Sequence, residues 1–87
     1  MFTGIIEKVG KVFEFNNNQS SCKLIVQIER IDTSISIGDS VAINGTCLTV
    51  EKSDKPFYHF TLSPETLEVS SLSNLQKDNY VNIELPL

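Results

Sequence analysis

Apolar residues recur mostly at every second position, the period of a half-buried strand. Cys22, Leu24, Val26 and Ile28 alternate with Lys23, Gln27 and Glu29, and only Ile25 breaks the pattern. Residues 5–15 are rich in Ile, Val and Phe and predict a further strand, interrupted by Gly10. A glycine inside a strand marks a bulge or a sharp bend. The polar run Asn16-Asn17-Asn18-Gln19-Ser20-Ser21 reads as the turn between these two strands. Residues 40–43 form a short strand, and Asn44-Gly45 after it is a strong signal for a tight hairpin, because both residues tolerate positive φ. Residues 46–52 are then the return strand. Ser53-Asp54-Lys55-Pro56 reads as a turn, and Phe57 to Leu62 as a strand with Tyr58, Phe60 and Leu62 on one face. Lys77-Asp78-Asn79 turns into a last strand, residues 80–85, in which Val81, Ile83 and Leu85 alternate. The stretch from Ile31 to Ile37 reads equally as a loop or a short helical turn.

One short helix is expected. Ser63 suits the N-cap and Pro64 the first helical position. Glu65 lies in the first turn, where the helix dipole favours an anion. Leu62 and Leu67 have the spacing of a hydrophobic staple. The helix should end near Ser70. About six strands with regular turn signals and one short helix predict an all-β fold, a small six-stranded antiparallel barrel. The 87 residues suffice for one domain, residues 1–87, with no repeat or linker.

Composition removes several function classes. The chain is 40% hydrophobic, yet no apolar run approaches the roughly 18 residues of a membrane span. Net charge is −4, and Arg30 is the only arginine, so nucleic acid is not an expected partner. There are two cysteines, Cys22 and Cys47, and one histidine, His59. They have no metal-ligand spacing, and a structural zinc site needs about four ligands. No metal is expected. A disulfide between the two cysteines is possible but has no support. Residues 1–7 lack the basic and apolar regions of a secretory signal, so a cytoplasmic setting with reduced thiols is expected.

Spacing offers modest chemistry. No catalytic signature or phosphate-cradling glycine loop is present. His59 falls on the face opposite Tyr58 and Phe60 and reads as a solvated strand residue. Asn44-Gly45-Thr46 matches a glycosylation acceptor, but the turn explains it fully. Cys47 and Thr49 share one face of the return strand, with Leu48 and Val50 on the other. Two readings stay open: a polar surface that meets a ligand, or a small buried thiol beside an ordinary strand threonine. Residues 63–66 have the same ambiguity, since capping alone accounts for them.

The segment Met1-Phe2-Thr3-Gly4-Ile5-Ile6-Glu7, together with Gly38-Asp39-Ser40-Val41-Ala42-Ile43-Asn44-Gly45-Thr46-Cys47-Leu48-Thr49-Val50, closely resembles the riboflavin synthase family. Pro64-Glu65-Thr66-Leu67 and Val81-Asn82-Ile83-Glu84 fit the same family at the expected spacing. Family members are built from two similar six-stranded Greek-key barrels in tandem, and this chain resembles the N-terminal one, without the second. The resemblance implies a dismutation in which two molecules of 6,7-dimethyl-8-ribityllumazine exchange a four-carbon unit, giving riboflavin and a pyrimidinedione. It implies no cofactor beyond that ligand.

The resemblance also implies roles for residues. Gly4, Ile5 and Ile6 match an opening loop that meets the ring, and Phe2 an aromatic that closes over it. Cys47, Leu48 and Thr49 match the strand lining the pocket. Thr61, Leu62, Ser63, Pro64, Glu65 and Thr66 match the strand-to-helix corner that holds the ribityl chain and the polar ring edge. Ser40 and Cys47 match polar positions near the reacting carbon and are the catalytic candidates. The sequence departs from the family at Ser70-Ser71-Leu72, Asp78-Asn79 and after Glu84, which bear on turns and the exit to a second barrel. A single barrel is expected to bind one ligand with little turnover and to pair as a homodimer, whereas the full enzyme is a homotrimer. The rival readings are a non-catalytic lumazine- or flavin-carrying protein and a plain oligonucleotide-binding-like barrel. The acidic charge counts against the last.

Overall fold

The computed structural model describes residues 8–18, 21–29 and 34–85. Its elements are β1 (Lys8–Asn17), β2 (Cys22–Gln27), β3 (Ser40–Ile43), β4 (Thr46–Thr49), β5 (Lys52–Asp54), β6 (Phe57–Leu62), helix α1 (Pro64–Val69), a 3₁₀ turn (Ser71–Asn74) and β7 (Tyr80–Glu84). All pairings are antiparallel, in the order β4-β3-β7-β1-β2-β6-β5.

Among the described residues the sheet has seven strands rather than six, because the expected return strand changes partner half-way. Up to Val50 the chain stays beside β3: Val50 N–H donates to the Asp39 carbonyl at 2.9 Å, and Gly38 N–H donates to the Val50 carbonyl at 2.8 Å. One residue later Glu51 N–H donates to the His59 carbonyl of β6 at 2.8 Å. Lys52 is also the ladder partner of His59, so two residues oppose one, the geometry of a bulge. β4 and β5 are the two ends of the sheet, and the chain through Val50 and the Glu51–Lys52 bulge joins them. The sheet therefore curls back on itself, which removes most of the open edge that an all-β protein must otherwise protect. Ser53 and Asp54, expected in a turn, belong to β5, and the turn shrinks to Lys55–Pro56 with a cis peptide bond.

Alternation sets the core. Leu24 and Val26 of β2, Tyr58, Phe60 and Leu62 of β6, and Val81 and Ile83 of β7 point inward, with Val12, Val41, Ile43, Leu48 and Val50. Gly10 does not make the bulge of β1; the register shifts at Phe13, between Val12 and Glu14. Gly10 instead allows close packing, since a Cβ there would lie 2.8 Å from Val26 Cγ1 and 3.2 Å from both Ile83 Cγ1 and the Gln27 carbonyl. The bulge turns Phe13 outward against Phe57, ring centroids 4.7 Å apart, with Lys77 Nζ 5.8 Å from the Phe13 ring.

Helix α1 starts as its sequence predicts. Ser63 Oγ accepts the Thr66 N–H at 3.1 Å, and Pro64 opens the first turn. It buries no residue fully, and Leu67 packs only partly against the core. The 3₁₀ turn that follows adds Leu72 and Leu75 to the core. Of the ambiguous isoleucine stretch, Ile31 lies outside the described residues, Ile35 is buried in a loop and Ile37 is exposed in a turn. Among the described residues no helix is long and apolar enough to cross a membrane.

Candidate functional site

The β3–β4 hairpin carries the first group of candidate residues. Asn44 (φ 48°) and Gly45 (φ 84°) form the two-residue turn, both with positive φ as a type I′ turn requires. The Asn44 side chain holds the hairpin against β7: its Oδ1 accepts the Asn82 N–H at 2.8 Å, and Asn44 N–H donates to the Asn82 carbonyl at 2.9 Å. In the register Ser40 faces Thr49 and Ala42 faces Cys47. Residues directly opposite each other share a face, with Cβ atoms roughly 4.5–5.5 Å apart. Ser40, Thr49 and Cys47 therefore form one polar strip on the outside of the barrel. Cys47 and Thr49 are exposed and Ser40 is half-buried. The buried-thiol reading of Cys47 is thus set aside, because alternation turns Leu48 and Val50 inward and Cys47 outward. Leu48 and Leu62 have their side chains in the core and do not present them on this strip.

Main-chain groups complete the site. In a two-residue hairpin the closing pair, here Ile43 and Thr46, exchanges both hydrogen bonds, and bonded and non-bonded pairs then alternate. Val41–Leu48 is thus a bonded pair, while the N–H and C=O of Cys47 and Thr49 point away from β3. No described strand pairs with that side of β4. Across from it lies β6. The His59 carbonyl points toward the bulge, and by the same alternation so do the main-chain groups of Thr61. Beyond the bulge at Glu51, then, the edges of β4 and β6 that have no partner among the described residues face each other across a gap that is closed at its foot and flanked by Cys47, Thr49, Thr61 and Ser63.

The side chains at the foot form a tie. Lys23 Nζ donates to Thr61 Oγ1 at 2.7 Å, Thr61 Oγ1 donates to Glu51 Oε1 at 2.6 Å, and Lys23 Nζ lies 3.7 Å from Glu51 Oε1. At the other end Ser63 Oγ and Thr66 Oγ1 are 2.9 Å apart and engaged in the helix cap. Pro64 and Glu65 are exposed, and Thr66 is half-buried. The structure thus places Ser40, Cys47 and Thr49 on one bank and Thr61, Ser63 and Thr66 on the other. Gly4, Ile5 and Ile6, with Phe2, lie outside the described residues. Lys23 and Glu51 were not singled out from the sequence, since nothing in it connects positions 23, 51 and 61.

The two cysteines do not pair; Cys22 is buried and Cys47 exposed. Burial pushes the Cys22 thiol up from its ordinary value, leaving it a poor nucleophile. His59 is half-buried on the outer face and serves the corner through its carbonyl. No group of three or more His, Cys, Asp or Glu side chains among the described residues is arranged to hold a metal ion. The clefts do not coincide with the strip. One of 470 Å³, behind α1, is lined by residues including Asn17, Cys22, Leu62 and Leu67. Another of 350 Å³ includes Ala42, Asn44, Asn82 and Glu84. The candidate site is instead an open edge, where main-chain groups without a ladder partner among the described residues lie beside polar side chains.

The lumazine-binding domain family model matches residues 3–86. The chain belongs to the lumazine-binding domain family. It is 37% identical to riboflavin synthase of Bacillus subtilis (strain 168) over 84 residues, which are 97% of this chain and 39% of that protein. It is 36% identical to riboflavin synthase of Schizosaccharomyces pombe over 87 residues, with 97% and 41% covered. It is 39% identical to riboflavin synthase of Photobacterium phosphoreum over 85 residues, with 97% and 39% covered. The chain thus spans about two-fifths of the length of these relatives.

Proposed function

We propose that this chain binds 6,7-dimethyl-8-ribityllumazine and riboflavin as one barrel of a riboflavin synthase. The observation that carries the reading is the pair of free strand edges at Cys47, Thr49 and Thr61. A lumazine ring edge alternates C=O and N–H groups, as a strand does, so it can bond to unpaired main-chain N–H and C=O groups much as an added strand bonds to a sheet edge. Membership of the lumazine-binding family points to the same ligand class. Ser63, Pro64, Glu65 and Thr66 line the side toward which the ribityl chain extends, and Gly4, Ile5 and Ile6 contact the ring in this reading.

In the whole enzyme two lumazines react with each other. The C7 methyl of the lumazine is acidic because its anion delocalises into the ring, so the protein's main task is to hold two rings in opposed orientation. Such positioning can contribute up to roughly 7–11 kcal/mol. Ser40 and Cys47, on the outer strip, are the groups we assign to assisting addition or proton transfer. The exposed edge covers only one side of a ring, so a second barrel must cover the other. We therefore assign the isolated chain ligand binding with little turnover, pairing as a homodimer, and a cytoplasmic setting in which both thiols stay reduced.

The test is a titration of riboflavin with the purified chain, followed by flavin fluorescence, with 6,7-dimethyl-8-ribityllumazine in parallel. Saturation near one ligand per chain supports the reading. Absence of binding by a folded sample would sink it. Riboflavin formation from bound lumazine separates an enzyme barrel from a carrier, and sedimentation at high concentration reports the dimer.

A further inference from the structure

We infer that Glu51 is a positioning residue of the cleft, acting through Thr61 to set the gap between the β4 and β6 edges. The inference rests on the reading of that gap as the ligand site. Three observations carry it. Glu51 is the first residue after the strand changes partner, so its main chain fixes the foot of the gap through the 2.8 Å bond to the His59 carbonyl. Its carboxylate accepts the Thr61 hydroxyl at 2.6 Å, the shortest side-chain bond at the site. Lys23, the ladder partner of Thr61 on β2, donates to the same hydroxyl at 2.7 Å and lies 3.7 Å from the carboxylate.

The tie joins β2, β6 and the Glu51 bulge on the outer face. Bonds in which one partner is charged are stronger and shorter than neutral ones, and the Thr61 hydroxyl makes two of them. Its donor is used by Glu51 and it accepts from Lys23, so the hydroxyl is committed to the fold and not offered to a ligand. Thr61 meets the ligand through its main chain. The spacing of that main chain from Thr49 is what a rigid ring edge reads, and it is set at Glu51, where the chain passes from β3 to β6. Lys23 and Glu51 are both about half exposed, so the ion pair itself adds little stability. Its role is the direction it gives to Thr61.

The experiment is a double-mutant cycle on riboflavin affinity of the intact chain, with Glu51→Ala, Thr61→Val and the pair together, and Thr61→Ser as the conservative control. Affinity is measured on folded protein, so a purely stabilising role would leave it unmoved. Each single change is expected to weaken binding roughly tenfold, the worth of one charge-assisted bond. The double variant is expected to bind no more weakly than either single, because both remove the same link. Thr61→Ser retains the hydroxyl and is expected to bind within about twofold of the parent. Parent-like binding by Thr61→Val, or effects of the two changes that multiply, would overturn the positioning role while leaving the ligand reading intact. Failure of the folded parent chain to bind riboflavin would overturn both.

Discussion

Replacing Gly10 by Ala should destabilise the barrel, although alanine is ordinarily tolerated in a strand. The new Cβ would lie 2.8 Å from Val26 Cγ1, closer than carbon atoms approach, and 3.2 Å from Ile83 Cγ1 and the Gln27 carbonyl. Val26 and Ile83 are fully buried, and the carbonyl belongs to the paired strand β2, so none of the three can swing away freely. Overpacking of this kind costs about 1–3 kcal/mol. Loss of glycine entropy in the unfolded chain returns about 0.4–1 kcal/mol. The net is a loss of about 1–2 kcal/mol. In urea, with a slope of about 1 kcal/mol/M for so small a chain, the midpoint should fall by about 1–2 M at unchanged slope. Val26→Ala removes the closest atom, so the Gly10→Ala loss should shrink in that background. An unchanged or raised midpoint, or the same loss in both backgrounds, would refute the assignment of Gly10 to close packing.

Thiol labelling of the native chain should modify Cys47 rapidly and Cys22 only on unfolding, as a 5,5′-dithiobis(2-nitrobenzoate) time course will show; equal rates would place Cys47 in the core. Burial disfavours the charged forms of Cys22 and Tyr58 and raises their pKa values above the ordinary 9.0 and 10.0. The unfolded chain then releases these protons first, so stability should fall as pH rises above about 9, and denaturation midpoints at pH 8 and 10 test the sign. Ser63→Ala removes the cap of a helix that buries nothing fully. It should cost about 1 kcal/mol or less and speed amide exchange chiefly across residues 64–69. Leu72→Ala opens a cavity in the core and should cost about 2–5 kcal/mol, read from the urea midpoint.

Local signals made most of the elements legible. The alternation at Cys22, Leu24 and Val26 gave β2 its face, Asn44-Gly45 placed the hairpin, and Ser63-Pro64 started the helix. The partner change at Val50–Glu51 was hidden, because in–out alternation runs unbroken through Leu48 and Val50. Alternation reports which face is buried, not which strand lies alongside. Gly10 illustrates a second limit: one residue type serves bulges and close contacts, and only the neighbours decide. The 3₁₀ turn was missed because Leu72 and Leu75 stand in a short polar stretch with no periodic run. Cys47 and Thr49 were legible as one face, yet which way that face pointed was not. Lys23 and Glu51 were invisible as a pair, since the fold alone joins two surface charges 28 positions apart.

The position of the bound ligand decides the function proposed for the chain. Adding riboflavin to the ¹⁵N-labelled chain and following its amide resonances tests it directly. The largest shifts are expected at Cys47, Thr49 and Thr61, whose amides line the facing edges of β4 and β6. Shifts confined to the cleft behind α1, at Asn18, Leu67 and Ser73, or no shifts from a folded chain, would contradict it.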